Sequence, residues 1–257
     1  MESILLYDTT LRDGTQGEKI TFSGEDKIKI AKKLDDLGIH YIEGGWPGSN
    51  VKDKEFFESA KNVVFKNSKL TAFGSTHRYG ILAKDDKNLN AIIDCGAPVG
   101  CIFGKTWDLH VEKILRIRLE DNLEMIRSSV AYLKNSHLEE VHYDAEHFFD
   151  GFKANPEYAL KTLEAAQQAG LDCIVVFDTN GGSLPYEAAS IIQTVEKSIK
   201  PPPGHHADHH RARAVARSIV GIDTGAETGR ATLKGVGERW DKASLVTGMS
   251  GCTLDVG

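Results

Sequence analysis

An arginine and an aspartate stand side by side near the start of the chain, at Arg12 and Asp13. They follow the apolar residues 4–6, which are typical of a short buried strand, and Gly14 and Gly17 end that strand. A carboxylate at a strand end can hold a divalent cation, and an adjacent guanidinium can neutralise an enolate or a carboxylate. Taken alone, the two residues are also compatible with a surface Arg–Asp pair in a turn.

Polar side chains of the same kinds follow the later apolar runs of the sequence. In a barrel of parallel strands such positions converge on one mouth, and carboxylates with histidines there suit a divalent cation. Loops are polar in most proteins, so any one of these residues alone carries little weight. The candidates are Glu43, His77, Arg78, Lys105, Glu146, His147, Asp178, Thr179, Asn180, His206, Asp208, Lys234 and Glu238.

Short apolar runs alternate with amphipathic helical stretches along residues 1–200. The strands are predicted at residues 4–7, 41–45, 70–74, 99–103, 141–145 and 173–177. Helices are predicted from a capping box at Ser23 and Asp26 to Gly38, and at residues 54–63, 89–95, 111–134, 156–169 and 186–200. Such alternation indicates parallel βαβ units, and six or more of them within ~250 residues favour an α/β (β/α)8 TIM barrel.

The last quarter of the chain departs from this pattern. Residues 201–210 stand where a seventh strand is expected, yet they contain almost no apolar side chain. Residues 212–222 then favour a helix, and residues 231–233 a weak eighth strand. We therefore expect one catalytic barrel domain over residues 1–257, with a degenerate or incomplete seventh and eighth βα unit.

The bulk properties of the sequence restrict the class of protein. A length of 257 residues matches one eight-fold α/β barrel. The net charge of −6 argues against a nucleic-acid partner, and no apolar run approaches the ~20 residues of a membrane span. The four cysteines lack CxxC spacing, so we expect reduced thiols in a cytoplasmic protein and no zinc–thiolate site.

Residues 7–17 resemble the opening motif of the pyruvate-carboxyltransferase-like, or DRE-TIM, metallolyase family. Its members include 2-isopropylmalate, homocitrate and citramalate synthases and 3-hydroxy-3-methylglutaryl-CoA lyase. The blocks most similar to the citramalate synthase branch are residues 42–50, 73–76, 103–110, 143–151 and 178–182. The similarity is close over residues 3–200 and decays after Lys200.

The resemblance implies a role for each of five mouth residues. Asp13 is expected to ligate a divalent metal, and Arg12 to stabilise the enolate or the oxygen of a keto acid. Thr179 is expected to hydrogen-bond the carboxylate of the keto acid, while Glu146 lies beside the acetyl group and helps to activate it. Glu43 joins the expected substrate-binding set.

The reaction implied by this branch joins acetyl-CoA to pyruvate. The acetyl methyl group loses a proton, the carbanion attacks the keto carbon, and thioester hydrolysis releases (R)-citramalate and CoA. The resemblance implies manganese, magnesium or zinc as the metal, acetyl-CoA as co-substrate and a homodimer as the assembly. The alternatives are a 2-isopropylmalate or homocitrate synthase-like enzyme using another 2-keto acid, a superfamily lyase, and an inactive truncated barrel.

Two further metal ligands are expected from the seventh strand, where the family has a His-x-His-Asn-Asp motif. Alignment through residues 214–216 places His206 on the first histidine and Asp208 on the second, and His209 and His210 on the Asn and Asp positions. A carboxylate is also a metal ligand, so Asp13, His206 and Asp208 form the expected set. The alternative is a histidine-rich solvated loop.

The eighth-strand motif of the family begins with an asparagine that completes the metal shell, and this chain has Lys234 there. An ammonium group is not a metal ligand and repels a cation, which motivates the inactive-barrel hypothesis. Family synthases also carry a helical linker and a regulatory domain after the barrel, and neither is expected within residues 1–257.

Overall fold

Eight parallel strands form a closed barrel in the order β1 to β8, with β8 paired to β1. The computed structural model describes residues 5–18, 20–200, 203–207 and 228–232. The strands are Leu5–Asp8 (β1), Tyr41–Gly45 (β2), Lys69–Ser75 (β3), Val99–Lys105 (β4), Glu140–Glu146 (β5), Cys173–Asp178 (β6), Pro203–Ala207 (β7) and Thr228–Ala231 (β8). The predicted (β/α)8 barrel is thereby confirmed.

Helices follow the strands and surround the barrel. They are Gly24–Asp36 (α1), Val51–Ala60 (α2), Lys87–Asp94 (α3), Asp108–His110 (α4), Leu119–Lys134 (α5), Phe148–Ala154 (α6), Pro156–Gln168 (α7) and Pro185–Ser198 (α8). The capping box is confirmed, since Ser23 Oγ accepts the Asp26 N–H at 3.1 Å and Asp26 Oδ2 accepts the Ser23 N–H at 3.2 Å. Within the described residues, no helix combines the length and apolar character needed to cross a membrane.

Apolar side chains fill the layer between strands and helices. Leu34, Ile42, Ile92, Val130 and Val176 are all fully buried there. The inside of the barrel is different, because fully or almost fully buried polar side chains occupy it alongside Tyr7 and Cys101. These polar residues are Glu43, Asp144 and Arg230. The helices therefore hold the barrel through hydrophobic contact, while its interior is organised by charge.

A polar network closes the end of the barrel at which the strands begin. The carboxylate of Glu140 accepts hydrogen bonds from Tyr41 Oη at 2.9 Å and from Lys69 Nζ at 2.7 Å. His142 Nε2 lies 3.0 Å from the same carboxylate. The hydrogen bonds from His142, Lys69 and Tyr41 outweigh burial and lower the pKa of Glu140 to about 2. The active site is expected at the opposite end of the barrel, where the strands finish.

Gly45 allows β2 to change register just after Glu43. The pairing with β3 shifts between these two residues, and Gly45 has φ +151°. A Cβ at this position would collide with the carboxylate of Asp53, so only glycine fits. Asp53 in turn accepts the Trp46 N–H at 2.8 Å and the ammonium group of Lys27 at 2.5 Å. The loop after β2 is thereby fixed to the first two helices.

One predicted helix is wrong, and one observed helix was not predicted. Residues 111–134 do not form one helix, because a π-helical turn at Val111–Leu115 ends at Arg116, which has φ +57° and ψ 42°. A left-handed residue cannot continue a right-handed helix, so α5 starts afresh at Leu119. Helix α6 was not predicted, since seven residues are too few for a clear periodic pattern.

The last two strands are present and paired along their lengths. Strand β7 forms within the apolar-poor segment, with Gly204 opposite both Val175 and Thr228. Strand β8 covers Thr228–Ala231 instead of the predicted residues 231–233. The helix expected at residues 212–222 lies outside the described residues.

Asp35 links the end of α1 to the chain that enters β3. Its carboxylate accepts the backbone N–H groups of Lys66, Asn67 and Ser68 at 2.9, 2.7 and 2.8 Å. Burial alone would raise the pKa of Asp35, but these three donors outweigh it and lower the pKa. A lowered pKa means that the stabilisation is present above the usual carboxyl pKa and is lost as the pH falls through the folded-state value.

We predict that Asp35→Ala destabilises the protein by about 2–4 kcal/mol at pH 7, because three amide donors lose a charged acceptor. Asp36→Ala is the matched control. The Asp36 side chain is exposed, and its contact is a surface ion pair with Lys33 Nζ at 3.6 Å, which contributes little to stability. Urea denaturation of both variants measures the difference, which we expect to shrink below pH 4. Equal stability of the two variants at pH 7 would contradict this role of Asp35.

Candidate active site

The carboxylate of Glu43 lies at the centre of a buried cluster inside the barrel. Its Oε1 accepts the Arg12 Nε–H at 2.5 Å, and its Oε2 accepts the Tyr7 hydroxyl proton at 2.7 Å. Arg230 Nη1 is 3.9 Å from the same Oε2. Alternation along β2 points Glu43 inward together with Tyr41, whose ring stacks on that of Tyr7 at 5.7 Å. One carboxylate thus connects the β1 loop, β1 and β8.

Arg230 is a functional candidate that the sequence analysis missed. It is 1% exposed, its Nη1 donates to Asp144 Oδ2 at 2.6 Å, and its Nη2 lies 3.5 Å from Cys101 Sγ. The guanidinium carbon also lies 3.8 Å from the centre of the Tyr7 ring. The sequence shows an arginine at this position, but the start of the last strand was predicted three residues too late, so Arg230 fell outside it.

Three potential metal ligands lie together in this cluster, on Glu43, Cys101 and Asp144. One ligand atom from each falls within 4.8 Å of the others. The guanidinium of Arg230 already contacts Asp144 and Cys101, and its fixed positive charge opposes a second cation. Burial also raises the pKa of the Cys101 thiol well above its usual value, which disfavours the ligating thiolate. The positive charge in this cluster is therefore that of Arg230 and not that of a metal ion.

Arg12 extends from the buried cluster to the mouth of the barrel. Its guanidinium carbon lies 3.9 Å from the centre of the Phe73 ring, and Nη1 is 3.4 Å from Gln16 Oε1. Burial alone would lower the pKa of Arg12, but Glu43 and Asp13 outweigh it and raise the pKa. The side chain is 12% exposed, so a permanently charged guanidinium is fixed in place while part of it remains accessible.

Asp13 is held beside Arg12 by a tight turn. The backbone N–H groups of Arg12, Asp13 and Gly14 all donate to the carbonyl oxygen of Thr9, at 3.2, 2.8 and 3.2 Å. Asp13 is 3% exposed, and its Oδ2 lies 3.9 Å from Arg12 Nη1. The turn therefore presents a shielded carboxylate and a guanidinium at the same strand end.

The predicted metal site can be tested for fit at Asp13. A buried carboxylate is the ligand that hard divalent cations prefer, and two carboxylates with one imidazole suit manganese, magnesium or zinc. His206 belongs to β7, whose backbone pairs it with Phe177 and Arg230. The side chain of His206, and all of Asp208, His209, His210, Lys234 and Glu238, lie outside the described residues. A set of Asp13, His206 and Asp208 would fit such an ion in its chemistry, and Asp13 is the member whose side chain the structure describes.

Lys105 and Glu146 form an ion pair at the ends of β4 and β5. The two residues are register partners, and Lys105 Nζ lies 2.5 Å from Glu146 Oε2. The Thr106 hydroxyl donates to the carbonyl oxygen of Glu146 at 2.7 Å. Both charged side chains are partly exposed, so the structure brings together two predicted mouth residues in a position that a ligand can reach.

Thr179 contacts the chain that follows β5. Its hydroxyl oxygen accepts the backbone N–H of His147 at 3.0 Å. His147 Nδ1 lies 3.2 Å from Asp150 Oδ2, which also accepts Asn180 Nδ2–H at 3.0 Å. Three predicted mouth residues, His147, Thr179 and Asn180, therefore lie close together. Asp150 contacts two of them, His147 and Asn180. Its position three residues after His147, across the first turn of α6, was the signal that could have found it.

Other predicted mouth residues have structural contacts. His77 Nε2 lies 2.8 Å from Ser128 Oγ, and its backbone N–H donates to Ser129 Oγ at 3.0 Å, so its ring faces α5. Asp178 is buried and accepts the Ser183 N–H at 3.2 Å. Arg78 is exposed.

The structure is thus an α/β barrel protein with an arginine, carboxylates and histidines at the ends of its strands. The chain belongs to the HMGL-like family, whose model matches residues 3–250. The family membership expected from the motifs is confirmed.

Individual relatives are similar over nearly the whole chain. It is 54% identical over 245 residues, 95% of its length, to the (R)-citramalate synthase of Geobacter sulfurreducens, of which it covers 46%. It is 50% identical over its full 257 residues to the (R)-citramalate synthase of Aquifex aeolicus, of which it covers 48%. The chain thus spans about half the length of these curated relatives.

Solved structures support the fold. The HMG-CoA lyase of Bacillus subtilis superposes with a TM-score of 0.82 at 16% identity, over 98% of this chain and 86% of that one. At this identity the likeness concerns the barrel alone.

We predict that Asp13→Asn weakens manganese binding at least about 10- to 100-fold, since it removes a charged ligand. Cys101→Ala is the control, because Arg230 fills the alternative cluster, and we expect its affinity to stay within twofold of wild type. Isothermal titration with manganese measures both. Loss of affinity in Cys101→Ala but not in Asp13→Asn would place the metal inside the barrel instead.

Proposed function

We propose that the protein is an acyl-CoA:2-keto acid acyltransferase that condenses acetyl-CoA with pyruvate and releases (R)-citramalate and CoA. Two relatives at 54% and 50% identity, both (R)-citramalate synthases, support this assignment. The observation that carries it is the Arg12 guanidinium, fixed by Glu43 at the mouth next to the buried Asp13. A fixed positive charge at that point suits an anionic 2-keto acid and an enolate.

Arg12 would bind and stabilise the negative charge that develops on oxygen. Its Nε is held by Glu43 and its face by Phe73, so the guanidinium needs little reorganisation when the enolate forms. The long side chain loses little further rotamer freedom on binding, because that freedom is already restricted in the folded protein.

Thr179 would orient the keto acid. Its oxygen already accepts the N–H of His147, which leaves the hydroxyl proton as its donor. That proton would bond the carboxylate of pyruvate. Glu146 would lie beside the acetyl group, with its charge balanced by Lys105 so that it does not repel the enolate.

A divalent cation held by Asp13, with His206 and Asp208 as the other proposed ligands, would supply Lewis-acid polarisation of the keto acid. We propose manganese, magnesium or zinc for this position. We further propose a single catalytic barrel domain over residues 1–257, a homodimeric assembly and a cytoplasmic location, in which buried thiols such as Cys95 and Cys101 stay reduced.

Thiol release from acetyl-CoA tests the assignment. With manganese present, we expect release with pyruvate to exceed that with 2-oxoisovalerate or 2-oxoglutarate, and mass spectrometry to identify citramalate. Arg12→Ala should lower kcat/KM by about 10²- to 10³-fold, because a preorganised charge is lost. Arg127→Ala, which removes a partly exposed arginine paired with Glu124, is the matched control.

The other outcomes separate the alternatives. Preference for a longer 2-keto acid would assign a 2-isopropylmalate or homocitrate synthase-like activity. Cleavage of a hydroxyacyl-CoA without condensation would assign a lyase. Absence of both metal binding and thiol release would assign an inactive barrel.

A further inference from the structure

Three aromatic side chains pack against one another just below the mouth of the barrel. The rings of Phe73 and Phe103 stack, with their centres 5.5 Å apart and an angle of 19° between their planes. The Trp46 ring meets both of them edge to face, at 5.5 and 5.7 Å. We call these three residues the aromatic floor. Because each ring contacts the other two, one ring cannot shift unless its neighbours move as well.

Helix α3 fixes the aromatic floor from outside the barrel. The indole N–H of Trp46 donates to Asn88 Oδ1, and Asn88 Nδ2–H donates to the carbonyl oxygen of Ser75 at 2.8 Å. Gly74 leaves room for this amide, since a Cβ there would lie 2.8 Å from Asn88 Oδ1. Hydrogen bonds therefore set the orientation of Trp46, and Trp46 in turn holds the two phenylalanine rings.

Phe103 faces the inside of the barrel, where the mouth gives access to it. Along β4, Cys101 contacts Arg230 inside the barrel, whereas Ile102 packs in the outer hydrophobic layer. Side chains alternate along a strand, so Phe103 and Lys105 also point inward. Phe103 is nonetheless partly exposed. Since β3 and β5 pair with β4 on either side, the exposed part of the ring faces the open end of the barrel.

The aromatic floor lies between two positive charges of the mouth. The Arg12 guanidinium carbon is 3.9 Å from the centre of the Phe73 ring, and Lys105 Nζ is 5.7 Å from the centre of the Phe103 ring. The charge of Lys105 is already paired with that of Glu146. A keto acid bound by Arg12 therefore has the apolar surface of the floor beside it.

We propose that the aromatic floor determines which 2-keto acid binds, admitting the methyl group of pyruvate and rejecting both a longer side chain and a second carboxylate. The proposal rests on the proposed function, which places the keto acid at Arg12. A longer side chain would have to displace rings that are held by Asn88 and by one another. A second carboxylate would lose water without gaining a hydrogen bond, because the indole N–H of Trp46 already bonds to Asn88.

Enlarging the space beside the floor tests the proposal. We expect Phe103→Ala to raise kcat/KM for 2-oxobutyrate relative to pyruvate at least about tenfold, since one methylene in a hydrophobic pocket is worth about 10- to 200-fold. The KM for acetyl-CoA should not change, whereas a general collapse of the mouth would alter the KM values of both substrates. Phe65→Ala is the matched control, because Phe65 packs on the outer hydrophobic layer before β3. It should lose stability and keep the wild-type ratio between the two keto acids.

Binding without turnover separates this proposal from the proposed function. Isothermal titration with manganese present and acetyl-CoA absent gives the affinities for pyruvate, 2-oxobutyrate and 2-oxoglutarate. We expect wild type to bind pyruvate most tightly, and Phe103→Ala to shift the preference toward 2-oxobutyrate. Binding of 2-oxoglutarate should stay weak in both, since neither protein offers a partner for its second carboxylate. Phe103→Leu should shift the preference in the same direction by a smaller factor, and it replaces Phe103→Ala if that variant does not fold.

Each outcome decides one question. An unchanged preference between pyruvate and 2-oxobutyrate in the Phe103 variants overturns the role of the floor, while the proposed function stands. A wild type that prefers 2-oxobutyrate, with a preference that shifts in Phe103→Ala, sustains the floor as the determinant and overturns the choice of pyruvate. Tight binding of 2-oxoglutarate by wild type overturns the rejection of a second carboxylate. A wild type that binds none of the three keto acids overturns both proposals.

Discussion

The buried carboxylate of Glu43 is the contact on which the rest of the site depends. It is fully buried, accepts hydrogen bonds from Arg12 and Tyr7, and lies 3.9 Å from Arg230. Removing one partner of a buried ion pair leaves an uncompensated charge and costs about 3–5 kcal/mol. The guanidinium groups of Arg12 and Arg230 and the carboxylates of Glu43 and Asp144 therefore fix one another in position. The guanidinium at the mouth gains its rigidity from charges deep in the barrel.

Strand register explains which side chains meet at the mouth. Lys105 and Glu146 are paired residues of β4 and β5, so their ion pair follows directly from the sheet. The contact between His147 and Thr179 likewise joins the residues that follow β5 and β6. Each cluster therefore depends on two neighbouring strands, and the barrel sets the distances between clusters.

The sequence predicted those features that depend on local chemistry. Six strands, the capping box at Ser23 and the adjacency of Arg12 and Asp13 follow from apolar runs, short-range hydrogen bonds and chain order. The features that were missed depend on tertiary contacts. Arg230 lies in a strand that the apolar pattern hardly marks, and its contacts with Asp144, Glu43 and the Tyr7 ring stabilise this buried arginine. The ring of His77 faces α5 because of Ser128, which is far away in the sequence.

Anomalous diffraction from a crystal soaked with manganese and pyruvate tests most directly whether the Glu43-anchored arginine defines the site. We predict a manganese peak at the carboxylate of Asp13 and pyruvate oxygens within hydrogen-bonding distance of Arg12. A manganese peak among Glu43, Cys101 and Asp144, or pyruvate bound away from Arg12, would contradict the account.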